Sequence, residues 1–210
     1  MKTRIFVLFS AVLILGIGIA KVEAGTPSEN EVRRIALEVA QQMTLPQLAA
    51  GGIDWQAGEW SSYEMSLAIA QGTMVKFVSK DEGDKFWMTL LTKLDFFGQP
   101  YQVESKMLIR RADGAILEFY VDGQKQEVPQ QDVTLISQEA ERITVPAGTF
   151  DSIHVKMTVS QDGQTMNVDT WMNPRDVNLD GTIKMVQEGG LMSTTLELTG
   201  FGDKNPPTLQ

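Results

Sequence analysis

Asp176-Val177-Asn178-Leu179-Asp180-Gly181-Thr182-Ile183 is the stretch of this 210-residue chain that comes nearest to a recognisable chemistry. Oxygen ligands at positions 1, 3 and 5, glycine at 6, a backbone carbonyl at 7 and an apolar residue at 8 are the first eight positions of a calcium loop. The twelfth position should hold a bidentate glutamate. It holds Gln187, with Glu188 one place late. Asp176, Asn178 and Asp180 are therefore an incomplete metal set. The flanking residues read as strands, whereas a calcium loop of this kind sits between helices. The expectation is a polar turn, in a chain with no resident metal or cofactor.

Other catalytic chemistry is harder still to assemble. His154 is the only histidine, and metal sites and acid–base pairs usually want more. It alternates with Ser152, Lys156 and Thr158, so it is expected as a solvated residue on a polar strand face. There is no cysteine, which excludes disulfides, thiolate ligands and cysteine nucleophiles. No G-x-S-x-G or Ser-x-x-Lys pattern occurs. With no nameable nucleophile or base, the chain is read as non-enzymatic.

The N-terminus gives an address. Lys2 and Arg4 precede an apolar run, Ile5 to Ala20, and Val22-Glu23-Ala24 supplies a V-x-A cleavage site. Sixteen apolar residues fall short of the ~20 that span a bilayer. Residues 1–24 are thus expected to be a cleaved signal peptide that delivers the chain to the periplasm or beyond; the alternative is an uncleaved anchor. No other stretch is apolar enough to cross a membrane. Without a cysteine after the leader, the lipid anchor of a conventional lipoprotein is excluded. Cleavage leaves 15 basic and 26 acidic residues, a net charge of −11. Nucleic acid is a poor partner for such a surface, and so is an anionic membrane.

The elements that must position any site change character near residue 60. Before it, Ser28 and Glu31 form a capping box. Val32, Ile35, Ala36, Val39, Ala40 and Met43 then make one apolar stripe, which predicts a helix over Glu29 to Met43. After Trp60 the period is two. Tyr63–Ile69, Phe86–Leu94, Tyr101–Ile109, Leu117–Val121, Ile153–Val159, Met166–Met172 and Met192–Leu198 each alternate apolar with polar or small residues. Asp113-Gly114, Asp122-Gly123 and Asp162-Gly163 lie between such runs and predict hairpins. The fold class is mainly β (α+β): a curled antiparallel sheet or incomplete β-barrel with the N-terminal amphipathic helix packed on it. One domain, 25–202, follows the leader, and 203–210 is a flexible tail.

Two segments carry a resemblance. Ile143-Thr144-Val145-Pro146-Ala147-Gly148-Thr149-Phe150-Asp151 resembles the V-P-A-G-T-F turn of a family of secreted bacterial β-proteins. Trp171 to Met185 resembles that family's W-x-S-x-x-V-P-x-G-G-x-V-K stretch, with Asn178 in place of the proline and Asp180 in place of the first glycine. The family is similar to the periplasmic lipoprotein-localisation carriers (LolA-like). The resemblance implies an incomplete antiparallel barrel, lidded by helices, often with an apolar cavity. It offers no catalytic residue. Read physically, Pro146 and Gly148 mark a corner where the ladder must turn.

Methionine is the remaining signal. Ten follow the initiator, and most fall on the alternating apolar faces, where a flexible, polarisable side chain suits variable apolar ligands or plain core filling. The cavity candidates are Tyr63, Met65, Phe86, Met88, Met107, Phe119, Val155 and Met157. The expected function is a periplasmic binding or carrier protein for a lipid or other hydrophobic ligand. The alternative is an envelope interaction or assembly protein with a solid core, which meets a protein partner at an edge strand.

Overall fold

The computed structural model describes residues 53–96, 98–128, 130–161, 163–189 and 193–209. The leader expected at 1–24 and the helix expected over Glu29 to Met43 lie outside them. The described residues form β1 (Trp60–Leu67), β2 (Ala70–Asp81), β3 (Lys85–Phe96), β4 (Gln99–Arg110), β5 (Ile116–Val121), β6 (Gln124–Gln126), β7 (Asp132–Val145), β8 (Gly148–Gln161), β9 (Gln164–Met172), β10 (Thr182–Gly189) and β11 (Thr194–Gly202). No helix occurs among these residues, and so none long and apolar enough to cross a membrane.

All eleven strands belong to one sheet, in the order β6-β5-β4-β3-β2-β1-β11-β10-β9-β8-β7. Every pair is antiparallel. The sheet is two meanders, β1 to β6 and β7 to β11, stitched together where β1 pairs with β11. Its outer edges, β6 and β7, do not pair with each other, yet only residues 127–131 connect them. In a flat sheet at ~4.8 Å per strand those edges would stand nearly 50 Å apart. The linker reaches at most ~21 Å. The sheet must curl until its edges come close, which gives an open barrel with a seam between β6 and β7.

Turn chemistry supports the hairpins. Asp122 and Gly123 both have positive φ, 48° and 74°, the type I′ geometry that suits the twist of a two-residue hairpin. The V-P-A-G-T-F stretch is the tip of the β7–β8 hairpin, where Val145 pairs with Gly148. The tip folds back across the barrel end: the Ala147 N–H donates to the Leu198 carbonyl at 2.9 Å. Strands β9 and β10 lie between β8 and β11, so this contact also requires the curl.

One face of the sheet carries the core. Tyr63 and Met65 on β1, Met74 and Val78 on β2, and Phe86, Met88, Leu90 and Leu94 on β3 all point inward. Met107 on β4 and Phe119 on β5 continue that face, as do Met157, Val168, Met185 and Leu196 across the other meander. Together they form one apolar cluster.

Two sequence expectations need correction. Leu117 belongs to the alternating set of its strand, but a bulge leaves it unpaired: Leu108 faces Glu118, Ile109 faces Ile116, and Leu117 is exposed. The inward place goes to Ile116. Ile69 lies beyond the end of β1 and is exposed in the turn to β2. Just after β11, Trp60 Nε1 donates to the Lys204 carbonyl at 3.0 Å and Asn178 Nδ2 to Asp203 at 2.7 Å.

Candidate functional site

The concave face is the candidate site. All eight sequence-nominated side chains, Tyr63, Met65, Phe86, Met88, Met107, Phe119, Val155 and Met157, are buried in the same cluster. They come from β1, β3, β4, β5 and β8, and alternation explains why they share a face. Successive side chains of a strand point to opposite sides, and antiparallel register keeps paired residues on one side. Met88 pairs with Met107, and Met107 with Phe119.

One end of the barrel is plugged by residues 173–181, the loop between β9 and β10. Val177 and Leu179 are buried in it, and Leu179 takes a left-handed φ of 60° to turn its side chain inward. Hydrogen bonds from β1 reach the loop and the first residue of β10 beyond it. Ser61 Oγ donates to the Asn178 carbonyl at 3.3 Å, and Tyr63 Oη to the Thr182 carbonyl at 3.2 Å. Gly181 has a φ of +71°, and a Cβ there would collide with the Pro174 backbone.

A buried ion pair fixes the plug. Lys76 Nζ lies 2.7 Å from both carboxylate oxygens of Asp180. Lys76 shares the inward parity of Met74 and Val78 and approaches to 5.5 Å of the Tyr63 ring centroid. Burial alone would lower the Lys76 ammonium. The Asp180 carboxylate and the Tyr63 hydroxyl outweigh it, and hold the ammonium above its ordinary range. Burial pushes the Tyr63 hydroxyl up to about 12, against the opposing pull of Lys76.

These contacts account for the three oxygen residues of the calcium-like pattern. Asp180 takes Lys76. Asp176 accepts from Asn173 Nδ2 at 2.8 Å, and Asn178 donates to Asp203. Gln187, at the twelfth position, lies inside β10 and faces the barrel interior. The pattern is a plug whose polar side chains serve as turn and latch residues. Among the described residues no group of three or more His, Cys, Asp or Glu side chains could hold a metal ion.

His154 is on the polar, convex face as its alternation requires, but it is not solvated. It is 6% exposed. Its ring stacks on Trp171 with centroids 4.0 Å apart. Nε2 lies 2.7 Å from Asp169 and Nδ1 lies 2.9 Å from Glu141. Trp171 Nε1 donates to the same Glu141 at 2.8 Å. Register assembles the group, since Glu139, His154, Trp171 and Lys184 are successive cross-strand partners on β7, β8, β9 and β10. The available sequence signal was Trp171 itself, an aromatic on the outward parity of β9. Lys76 had a signal of the same kind, a lysine at the inward parity of β2.

Sequence comparison adds no assignment: no protein-family model and no curated protein matches this chain. Among solved structures, one similar chain is a Parabacteroides distasonis protein provisionally assigned as a lipoprotein. It shares 12% identity over 72% of this chain and 99% of its own, with a TM-score of 0.38. A second, from Bacteroides fragilis, is provisionally assigned as an exported protein with a YmcC-like fold; its identity is 12%, its coverage 72% and 98%, and its TM-score 0.38. MucB is similar at 12% identity over 82% of this chain and 61% of its own, again with a TM-score of 0.38. Likenesses at this level assign no activity to the chain.

Proposed function

We propose that this chain is an exported, non-enzymatic carrier that holds a lipid or other hydrophobic ligand against the concave face of its open barrel. The observation that carries the reading is that face: eight apolar and methionine-rich side chains, drawn from five strands of both meanders, converge on one interior. Burial of an acyl chain there is worth about 0.8 kcal/mol per methylene before ordering costs. The plug at 173–181 closes one end, so a ligand enters by the seam between β6 and β7 or by the opposite end. The leader at 1–24 supports export. The environment of His154 supports a non-enzymatic role, because carboxylates take both ring nitrogens and leave neither for a nucleophile. The LolA-like resemblance of residues 143–185 agrees with this reading.

The test is native mass spectrometry of protein purified from the periplasm, together with uptake of a fluorescent fatty-acid probe. Co-purified lipid, and probe binding that is lost in Met88→Glu or Met107→Glu variants that stay folded, are the expected results. A wild type that binds no probe, with variants that merely unfold, overturns the reading.

A second reading has its own observation. Among the described residues, strand β7 is an edge of the sheet, 14 residues long and paired only with β8, and it exposes Leu135 (53%) and Ile136 (61%). Ile136 is the extra residue of a bulge, because Leu135 pairs with Met157 and Ser137 with Lys156. A protein partner that adds a strand to this edge would cover both residues. Pull-down by the wild type but not by an Ile136→Lys variant would favour an assembly role.

A further inference from the structure

The edge formed by β7 has two unlike faces. Leu135, Gln138 and Ala140 pair with Met157, Val155 and Ile153, so they share the inward parity of the core. They are exposed all the same, and Ile153 beside Ala140 is 41% exposed. Glu139 and Glu141 stand on the outward parity, opposite His154 and Ser152, with side chains 64% and 45% exposed. Glu141 is engaged by His154 and by Trp171, which leaves Glu139 as the freer carboxylate.

This edge is poorly blunted. Long free edges are commonly protected by lysine or proline on the strand. Strand β7 contains neither, and its one cation, Arg142, lies 3.7 Å from Asp151. The bulge at Ile136 bends the strand, but from Ser137 to Val145 the register with β8 is unbroken. Among the described residues only β8 pairs with β7, so one side of this regular stretch is open to another strand.

The two faces define the occupant. Successive side chains of an added strand point to opposite sides of the sheet. One set would lie beside Leu135 and Ala140 and within reach of Ile153, where apolar groups are favoured. The other set would lie beside Glu139 and Glu141, where cations are favoured and carboxylates repelled. A second copy of β7 would bring its own carboxylates to an edge already acidic, in a chain of net charge −9.

We propose that β7 takes up an extended peptide segment in which apolar and basic residues alternate, adding it to the sheet as a strand. This rests on strand addition at β7 and deepens it by assigning the chemistry of the partner.

The experiment is fluorescence anisotropy of labelled synthetic peptides of about eight residues, ~27 Å when extended, against the full mature chain. One peptide alternates lysine with valine, one alternates glutamate with valine, and one carries the lysines and valines in two blocks. The alternating lysine peptide is expected to bind at least about tenfold tighter than either of the others. Glu139→Lys, at an exposed site, should narrow the gap between the lysine and glutamate peptides severalfold. Hydrogen exchange should show β7 amides slowed by the bound lysine peptide, with β1 amides unchanged. Equal binding of the lysine and glutamate peptides, with β7 slowed by both, overturns the basic partner and leaves strand addition standing. Equal binding of the blocked peptide, or slowing away from β7, shows a non-specific charge attraction and overturns the proposal. If no peptide binds, or if β7 is already protected without peptide by a second copy or by the chain itself, both the proposal and strand addition by a partner fall.

Discussion

Lys76 and Asp180, separated by 104 positions in the chain, meet in a two-oxygen ion pair at 2.7 Å that ties the β9–β10 plug to the inner wall of β2. The pair sits at one end of an interior that is mostly apolar, with Thr92, Ser105, Thr170, Gln187 and Thr194 among its buried polar side chains. Desolvating both ions is costly, and only their close geometry offsets it. Such a pair specifies where the loop sits more than it adds net stability.

The energetic consequence is asymmetric. Lys76→Met strands a largely buried carboxylate and should destabilise the fold by about 3–5 kcal/mol. The double variant Lys76→Met/Asp180→Leu should recover most of that loss. Urea unfolding of the two single variants and the double variant measures the coupling; strictly additive losses would mean that the charges do not interact.

Tyr63 gives the fold an alkaline limit. Its hydroxyl ionises near 10 when the chain is unfolded and at about 12 when folded. A raised folded value contributes stability that is complete below pH 10 and disappears as pH rises through 12. Two units correspond to about 3 kcal/mol. Stability followed by denaturant midpoint should fall across this window. Tyr63→Phe should flatten that limb, at a cost near neutrality of about 1 kcal/mol for the lost bond to the Thr182 carbonyl.

The outer cluster is expected to hold the β7 edge. His154→Leu removes the hydrogen bonds to Glu141 and Asp169, both partly solvated, and should cost only about 1–2 kcal/mol. Its sharper signature is local. Hydrogen exchange of backbone amides along β7 should accelerate while β1 to β4 remain protected; uniform acceleration across the sheet would show that the cluster does not act on the edge.

Calcium should bind weakly at best to residues 176–187, because Asp180 is engaged by Lys76 and the twelfth position is an inward glutamine. Calorimetric titration is expected to give no heat at micromolar calcium. A micromolar affinity lost in Asp176→Ala would refute this.

The local pattern of residues determined a good deal. Period-two alternation placed Tyr63, Met65, Phe86, Met88, Met107, Phe119, Val155 and Met157 on one face, because the side-chain direction along a strand follows from the chain itself. Asp122-Gly123 fixed its hairpin for a similarly local reason, since both residues tolerate positive φ. Strands β2 and β7 were not legible. The first carries Lys76 at an inward place, and the second is an edge whose core-facing Val133, Ile143 and Val145 are interrupted by a bulge and a long polar stretch. Leu117 shows the limit of periodicity, because one unpaired residue in the ladder with β4 shifts the inward position to Ile116. The register of β1 with β11, the curl imposed by residues 127–131, and the meetings of Lys76 with Asp180, Gln187 with Thr194, and His154 with Trp171 are set by pairings between distant segments. No window of sequence contains them, because each neighbour is chosen only when distant strands pair and the sheet curls.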